Sequence, residues 1–212
     1  MNKILFFLFL STSLLGQVKI AQVKYQGGGD WYANPTSLKN LIEFCNNNIS
    51  SNIDPKYDIV DLESDDIFYY PFLHITGHGN IVLSDNQIKN LRTYLSQGGF
   101  LHIDDNYGMY QYVMRELERL YPDKKLIKLS KSHKIFYQTF SFSNGLPKIH
   151  KHDDKAPEAY AISIENRVVL LYTYETDLSD GWEDQNIHNN PEELREQALR
   201  MGANIIEYAF TN

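Results

Sequence analysis

The chain has 212 residues, of which 42% are hydrophobic and 22% are charged, a composition typical of one soluble globular domain. Its formal net charge of −7 and the absence of a long Lys/Arg run exclude the electrostatic pattern of a protein that binds nucleic acid or anionic lipid. A single cysteine, Cys45, excludes an internal disulfide framework, so the fold must be stabilised by its core.

The amino terminus has the pattern of a secretory signal peptide. Lys3 supplies a positive charge, Ile4 to Leu15 form an apolar run broken only by a short Ser/Thr segment, and Gly16 is a small residue at which cleavage can occur. The apolar run is shorter than the roughly 20 residues needed to span a bilayer. We therefore expect residues 1–16 to be removed, leaving one exported domain (17–212), periplasmic or extracellular, without a transmembrane segment.

The first two thirds of the mature chain alternate between strand and helix patterns. Predicted strands cover residues 18–25, 57–62, 72–76, 100–104 and 125–129. Predicted helices begin after Asn34 as N-cap with Pro35 in the first turn, at the capping box formed by Ser84 and Gln87, and at Gly108. This alternation predicts a three-layer α/β sandwich with a mostly parallel sheet.

The last third has a different pattern. Residues 158–164 and 167–174 read as a hairpin around Glu165 and Asn166, which predicts an antiparallel extension at one edge of the sheet. A loop from Asp177 to Glu183 is a candidate lid over the site, or a mobile surface loop. A final helix is expected after Asn190 and Pro191.

Polar residues follow two adjacent apolar strands, where ligands bind in open α/β sheets. Asp104, Asp105, His78 and His133 are the candidate catalytic residues, acting through metal binding or general-base chemistry. Mg²⁺ or Ca²⁺ would suit the carboxylates and Zn²⁺ a mixed His/carboxylate set. The alternatives are a helix cap for one aspartate and a turn role for His78. His74 and His102, inside the strands, are interpreted as core residues.

Glycine-rich loops supply the candidate ligand-binding residues. The glycines after the first strand match neither a P-loop nor a dinucleotide-binding fingerprint, but they can open backbone N–H groups to a ligand. The candidate set is Gly28, Gly29, Asp30, Trp31, Gly77, Gly79, Asn106 and Tyr107. A tight turn with Trp31 packed on the sheet edge is equally compatible with the sequence. The His150–Asp154 tract is interpreted as a solvated loop rather than a metal site.

Several ordered motifs carry a family resemblance across the whole mature chain. They are Gly27-Gly-Gly-Asp-Trp-Tyr32, Thr76-Gly-His78, Gly98-Gly-Phe-Leu101, Asp104-Asp105, Ser132-His133 and Ala203-Asn204. With these motifs the chain resembles the bacterial family labelled domain of unknown function 4159. The resemblance implies the flavodoxin-like sandwich of the class I glutamine amidotransferase-like superfamily.

An amidotransferase needs a cysteine on a sharp strand-to-helix turn. The corresponding turn here, Asp104 to Gly108, has neither Cys nor Ser, and Cys45 falls on the apolar face of a predicted helix. We therefore expect a domain that binds a small polar or carbohydrate-like ligand in the crevice at the strand ends. The alternatives are a metal- or carboxylate-assisted hydrolase and a structural partner in a bacterial envelope assembly.

Overall fold

The computed structural model describes residues 16–212. All but the last residue of the predicted signal peptide therefore lie outside the described residues. Within residues 16–212, no helix is both long enough and apolar enough to cross a membrane.

The described chain forms seven strands and six α-helices. The strands are β1 (Ala21–Val23), β2 (Asp58–Val60), β3 (Phe72–His78), β4 (Phe100–Tyr107), β5 (Ile127–Lys128), β6 (Glu158–Ile164) and β7 (Arg167–Tyr174). The helices are α1 (Ser37–Asn48), α2 (Asp85–Ser96), α3 (Tyr110–Leu120), α4 (Leu178–Trp182), α5 (Gln185–His188) and α6 (Glu192–Thr211). Two short 3₁₀ helices cover Asp65–Tyr69 and Lys134–Phe136.

The strands form one sheet in the order β2-β1-β3-β4-β7-β6-β5. Strands β2, β1, β3, β4 and β7 are parallel, whereas β6 runs antiparallel to both β7 and β5. The five parallel strands follow the flavodoxin-like order, in which the direction of winding reverses between β1 and β3. The predicted mostly parallel α/β sandwich with an antiparallel edge is confirmed.

Helices cover both faces of the sheet, because each carries an apolar stripe that must be buried. On one face, α1, α4 and α6 enclose a core that includes Leu41 and Trp182. On the other, α2 and α3 enclose a second core that includes Leu91 and Leu117. Cys45 lies in the first core and is fully buried, as its helical position predicts.

Two local predictions are confirmed, one by its hydrogen bonds and one by its backbone angles. The hydroxyl of Ser84 accepts the backbone N–H of Gln87 at 3.1 Å, and the Gln87 side chain accepts the Ser84 N–H at 2.9 Å, which completes the capping box of α2. Glu165 and Asn166 turn the β6–β7 hairpin with φ of 50° and 65°. These positive values fit a hairpin turn of the mirror-image type.

The start of the first helix differs from its prediction. Helix α1 begins at Ser37 with Thr36 as N-cap, not after Asn34. The Asn34 side chain does not cap the helix, since its amide donates a hydrogen bond to Asp180 Oδ1 at 2.6 Å. A tertiary hydrogen bond has replaced the expected local cap.

The prediction that residues 177–183 form a lid or a mobile surface loop is wrong. Residues Leu178–Trp182 form the short helix α4, whose side chains are buried between α1 and α6. The Trp182 ring is fully buried and its indole N–H donates to the Ala198 carbonyl at 2.8 Å. Gly181 permits the close packing, because a Cβ there would lie 2.4 Å from the Ala198 methyl group.

Candidate functional site

The register of β3 and β4 brings their polar carboxyl ends together. The strands pair residue for residue from Phe72 opposite Phe100 to Gly77 opposite Asp105. A bulge then places His78 opposite Tyr107. The carboxyl edge of the sheet therefore presents the end of β3, the end of β4 and the loop that follows β1.

A carboxylate–imidazole pair joins the loop after β1 to the end of β3. Asp30 Oδ1 accepts the backbone N–H of His78, and Asp30 Oδ2 lies 3.1 Å from His78 Nδ1. This contact directs Nδ1 to the carboxylate and leaves Nε2, on the other side of the ring, to face a ligand. The His78 side chain is 44% exposed.

Glycines allow these two loops to approach each other. The Gly29 N–H donates to the Asn80 carbonyl at 2.9 Å, and a Cβ on Gly29 would lie 2.6 Å from the His78 carbonyl oxygen. A Cβ on Gly77 would lie 2.6 Å from the Tyr25 hydroxyl. Gly28 and Gly79 have positive φ and open space where a Cβ would point. Two of the four predicted glycines thus serve close packing, and two border solvent.

Aromatic rings flank the Asp30–His78 pair. Trp31 and the largely exposed Tyr32 meet edge to face, with ring centroids 5.6 Å apart, on the side of the β1 loop. Tyr107 is 47% exposed on the opposite side, next to His78 in the strand register. Its ring lies 4.5 Å from that of His152.

The two adjacent aspartates of β4 point to opposite faces of the sheet, as extended geometry requires. Asp105 faces α2 and α3, where its Oδ1 accepts the Met109 N–H at 3.0 Å and its Oδ2 accepts the Tyr172 hydroxyl at 2.6 Å. Burial raises the pKa of Asp105, although these hydrogen bonds oppose the shift. These contacts match the capping alternative for Asp105, since it holds the turn that leads into α3.

Asp104 faces α4 and is fully buried. Its Oδ1 accepts the Thr173 hydroxyl at 2.5 Å, and its Oδ2 accepts the Ser179 backbone N–H at 2.7 Å. Burial raises the pKa of Asp104 to about 6. Asp104 therefore anchors the start of α4.

Asn106 belongs to a buried network of side-chain amides and a carboxylate. Its Nδ2 donates to Asn34 Oδ1 at 2.6 Å and to Asp180 Oδ1 at 2.8 Å. The Thr76 hydroxyl lies 3.0 Å from Asn34 Oδ1. The network holds the Asp180 carboxylate through two separate parts of the chain, Asn34 and Asn106.

Beyond Asp180 lies a group of residues that the sequence analysis did not assign to a site, hereafter the His–Asp cluster. Its members are His150, His152, Asp177, Asp180 and His188. His152 Nε2 lies 2.7 Å and His150 Nδ1 lies 3.5 Å from Asp177 Oδ2. His150 Nδ1 also lies 3.0 Å from Asp180 Oδ2, and His188 Nε2 lies 3.8 Å from Asp180 Oδ1.

Burial and charge perturb the acids of this cluster. Burial, together with the neighbouring charges of Asp104 and Asp180, raises the pKa of Asp177 to about 9. Burial opposes ionisation of Asp180 as well, but hydrogen bonds from His150 and Asn34 bring its net pKa below the usual value. The hydrogen bond with Asp180 raises the pKa of His150. The pKa values of the two aspartates are therefore shifted in opposite directions.

The interpretation of the His150–Asp154 tract as a solvated loop is wrong for His150 and His152, which contact the buried Asp177. The spacing His-x-His was a visible signal for metal binding, but its partners lie 25 or more residues further along the chain. Only the packing of α4 beside this loop brings them together.

His133 is not part of the site. It is the N-cap of the second 3₁₀ helix, and its ring lies 5.6 Å from that of Tyr208. Tyr208 packs against Phe100, the first residue of β4, at the opposite end of the strand from Asp104 and Asp105. After β5 the chain turns back along α6, so the position of His133 after a strand does not place it at the carboxyl edge.

His74 and His102 lie in the core, as interpreted from the sequence. Both are fully buried, with ring centroids 5.1 Å apart and both rings against Trp182. Their Nε2 atoms meet the hydroxyls of Ser179 and Thr173 at 3.1 Å and 3.0 Å. Burial lowers the pKa of His74 to about 3 and that of His102 well below its usual value.

The fold and its polar carboxyl edge define a flavodoxin-like α/β domain with titratable groups at the strand ends. The family described as a domain of unknown function, DUF4159, matches residues 19–210, and the chain belongs to this family. No protein of curated function matches the chain.

Proposed function

We propose that this domain binds a small polar, carbohydrate-like ligand at the carboxyl edge, outside the ends of β1 and β3. The observation that carries the proposal is the Asp30–His78 pair, which joins the loops after these two strands. In flavodoxin-like sheets the winding reverses between these strands, and ligands bind in the crevice at that point. The Asp30–His78 pair thus lies where the order of the strands favours ligand binding.

The surroundings of the pair suit a ligand with both hydroxyls and apolar faces. His78 offers Nε2 for hydrogen bonding, because Asp30 engages Nδ1. Tyr32 and Tyr107 expose rings on either side of the pair. Aromatic rings beside hydrogen-bonding groups provide the amphipathic surface that sugar-like molecules require.

Binding is favoured over acyl transfer because no thiol is positioned for catalysis. Cys45 is fully buried in the α1 side of the core, and burial raises the pKa of its thiol. The carboxyl-terminal part of β4 supplies Asp104 and Asp105, and both carboxylates are engaged in holding neighbouring backbone.

The proposal is tested by screening mono- and oligosaccharides against residues 17–212 with ligand-observed NMR. His78→Ala should weaken binding of any hit about tenfold, the equivalent of one hydrogen bond. His133→Ala, at the opposite end of the strands, is the matched control and should bind like the parent. Equal affinity of the His78→Ala and parent proteins for every hit would refute the assignment of the site.

A metal-assisted hydrolase is the second candidate, and one observation favours it. The His–Asp cluster lies beside the proposed ligand surface, since the His152 and Tyr107 rings are in contact, with centroids 4.5 Å apart. Metal-bound water at such a cluster could attack a ligand held at the strand ends. Metal-dependent turnover of a ligand from the screen would support this candidate over simple binding.

We also propose that the protein is exported and that a bacterial envelope protein is a further possible partner. The described strands begin at Ala21, so cleavage after Gly16 would leave each of them intact. Mass spectrometry of the protein in the periplasmic and culture fractions tests export. A cytoplasmic product that retains residues 1–16 would contradict it.

A further inference from the structure

We propose that His150, His152 and Asp177, with Asp180 and His188 beside them, bind a divalent first-row transition-metal ion such as Zn²⁺. This inference does not depend on the proposed carbohydrate-like ligand. It uses none of the residues that the sequence analysis named as metal ligands.

The ligand atoms already have the spacing of a metal site. One triad consists of His150, His152 and Asp177, and a second of His150, Asp180 and His188; within each triad the ligand atoms lie within 4.8 Å of one another. Zinc bonds of about 2.0–2.2 Å place tetrahedral ligand atoms roughly 3.3 Å apart. The observed separations of 2.7–3.8 Å between imidazole nitrogens and carboxylate oxygens bracket that value.

A buried carboxylate oxygen gives the second, independent observation. The Asp177 side chain is only 1% exposed, and its Oδ1 has no hydrogen-bond partner within residues 16–212. Its other oxygen, Oδ2, faces the two imidazoles of His150 and His152. An unsatisfied carboxylate oxygen in a buried position is costly, and a cation bound to this carboxylate would reduce that cost.

The charges around the cluster also favour binding of a cation. Lys148 and Lys155 are engaged by other acids, because Lys148 lies 3.3 Å from Glu175 and Lys155 lies 2.9 Å from Asp153. Within residues 16–212, Asp177 and Asp180 form ion pairs only with the histidines of the cluster. One divalent ion with neutral imidazoles would balance the two carboxylates.

Outer hydrogen bonds orient the ligands as they do in protein metal sites. His150 Nε2 donates to the side-chain oxygen of Asn190 at 2.9 Å, so a metal ion would bind at Nδ1 in place of the proton that Nδ1 shares with Asp180. Asp180 is held by the amides of Asn34 and Asn106. Asp177 and Asp180 both belong to the start of the buried helix α4, which holds them at the metal site.

The chemistry of the donor set selects the class of ion. Imidazole ligands favour Zn²⁺ and its first-row neighbours over Mg²⁺ and Ca²⁺, which prefer all-oxygen sites. His152 and His188 are 31% and 30% exposed, so the ion would face solvent on one side. A coordination position would remain open to water.

The test uses residues 17–212 freed of metal with a chelator and titrated with Zn²⁺ alone by calorimetry. We expect one Zn²⁺ per chain and a rise in melting temperature on binding. Asp177→Asn, which keeps the shape of the side chain, should weaken Zn²⁺ affinity by more than about 100-fold, beyond the cost of losing an outer partner. His152→Gln, at a partly exposed position, should weaken it as well.

Two controls separate the cluster from adventitious binding. Asp154→Asn changes an exposed acid in the same loop, and His133→Ala removes a histidine from the opposite end of the strands; both should bind Zn²⁺ like the parent. Circular dichroism establishes that each variant is folded. The proposal is overturned if the parent binds neither Zn²⁺ nor Co²⁺, or if folded His152→Gln and Asp177→Asn bind as tightly as the parent.

Discussion

The two faces of the central strands β3 and β4 carry different chemistry. On the face toward α2 and α3, the strands present Ile75, Leu101 and Ile103 to an apolar core. On the face toward α4, the corresponding positions are His74, His102, Asp104, Thr76 and Asn106, all buried and nearly all hydrogen-bonded. A parallel sheet needs only apolar strands, so the polar face has a further purpose.

That purpose is to support α4 and, through it, the His–Asp cluster. The buried polar groups fix the Ser179 backbone and the Asp180 carboxylate. Each of these side chains has at least one hydrogen-bond partner, although the Nδ1 atoms of His74 and His102 have none within residues 16–212, and such a network favours one arrangement of its members. One face of the sheet is thus an apolar core, and the other holds α4 and the two aspartates of the proposed metal site in place.

Replacing Trp182 by Ala should have the largest effect on the α4 face. Trp182 is fully buried against His74 and His102, and its loss leaves a cavity beneath α4. We expect the free energy of unfolding to fall by about 3–5 kcal/mol in urea denaturation. Tyr69→Ala, at a residue 78% exposed, is the control and should change it by less than about 0.5 kcal/mol. A small effect at Trp182 would mean that α4 is not an essential part of the core.

The buried histidines should make the polar face sensitive to acid. The pKa of His74 is lowered to about 3, so between pH 6.5 and pH 3 the unfolded chain takes up a proton that the folded chain does not. The free energy of unfolding is therefore unaffected by protonation of His74 well above pH 6.5 and decreases as the pH falls below that value. The raised pKa values of Asp104 and Asp177 act in the opposite direction.

A comparison with His74→Gln isolates the histidine, because both proteins retain those aspartates. Between pH 6.5 and pH 5, the parent should lose about 2 kcal/mol more stability than His74→Gln, from about 1.4 kcal/mol per pH unit. Urea denaturation at the two pH values measures the difference. Identical pH dependence would show that the imidazole of His74 is protonated in the folded protein.

On the face toward α2 and α3, we expect a smaller change in the free energy of unfolding when the buried Asp105 is replaced. Asp105→Ala removes the acceptor for the Met109 N–H and leaves the Tyr172 hydroxyl without its partner. We expect a loss of about 1.5 kcal/mol in thermal or urea unfolding. Asp154→Ala, at an exposed acid, should be neutral. An unchanged stability of Asp105→Ala would instead favour the catalytic role predicted from the sequence.

The sequence predicted that Asp30 and His78 lie near each other, but it did not predict the His–Asp cluster, because the two sets of residues occupy different kinds of segment. Asp30 and His78 each follow a strand directly, so the rule that parallel strands end at a common edge brings them together. His150 and His188 lie in irregular connections, whose paths no periodicity specifies. The prediction that His133 lies at the carboxyl edge was wrong for the same reason, since its loop turns back along α6 after leaving β5.

The sequence alone determined the α/β class, the apolar stripes of the helices, the capping box at Ser84 and the core position of Cys45, because these depend on contacts between near neighbours and on periodicity. The tertiary structure alone decided that α4 is buried, that Asn34 bonds to Asp180 instead of capping a helix, and which imidazoles meet Asp177. Those contacts join residues that are far apart in the chain, and only the packing of α4 between α1 and α6 creates them.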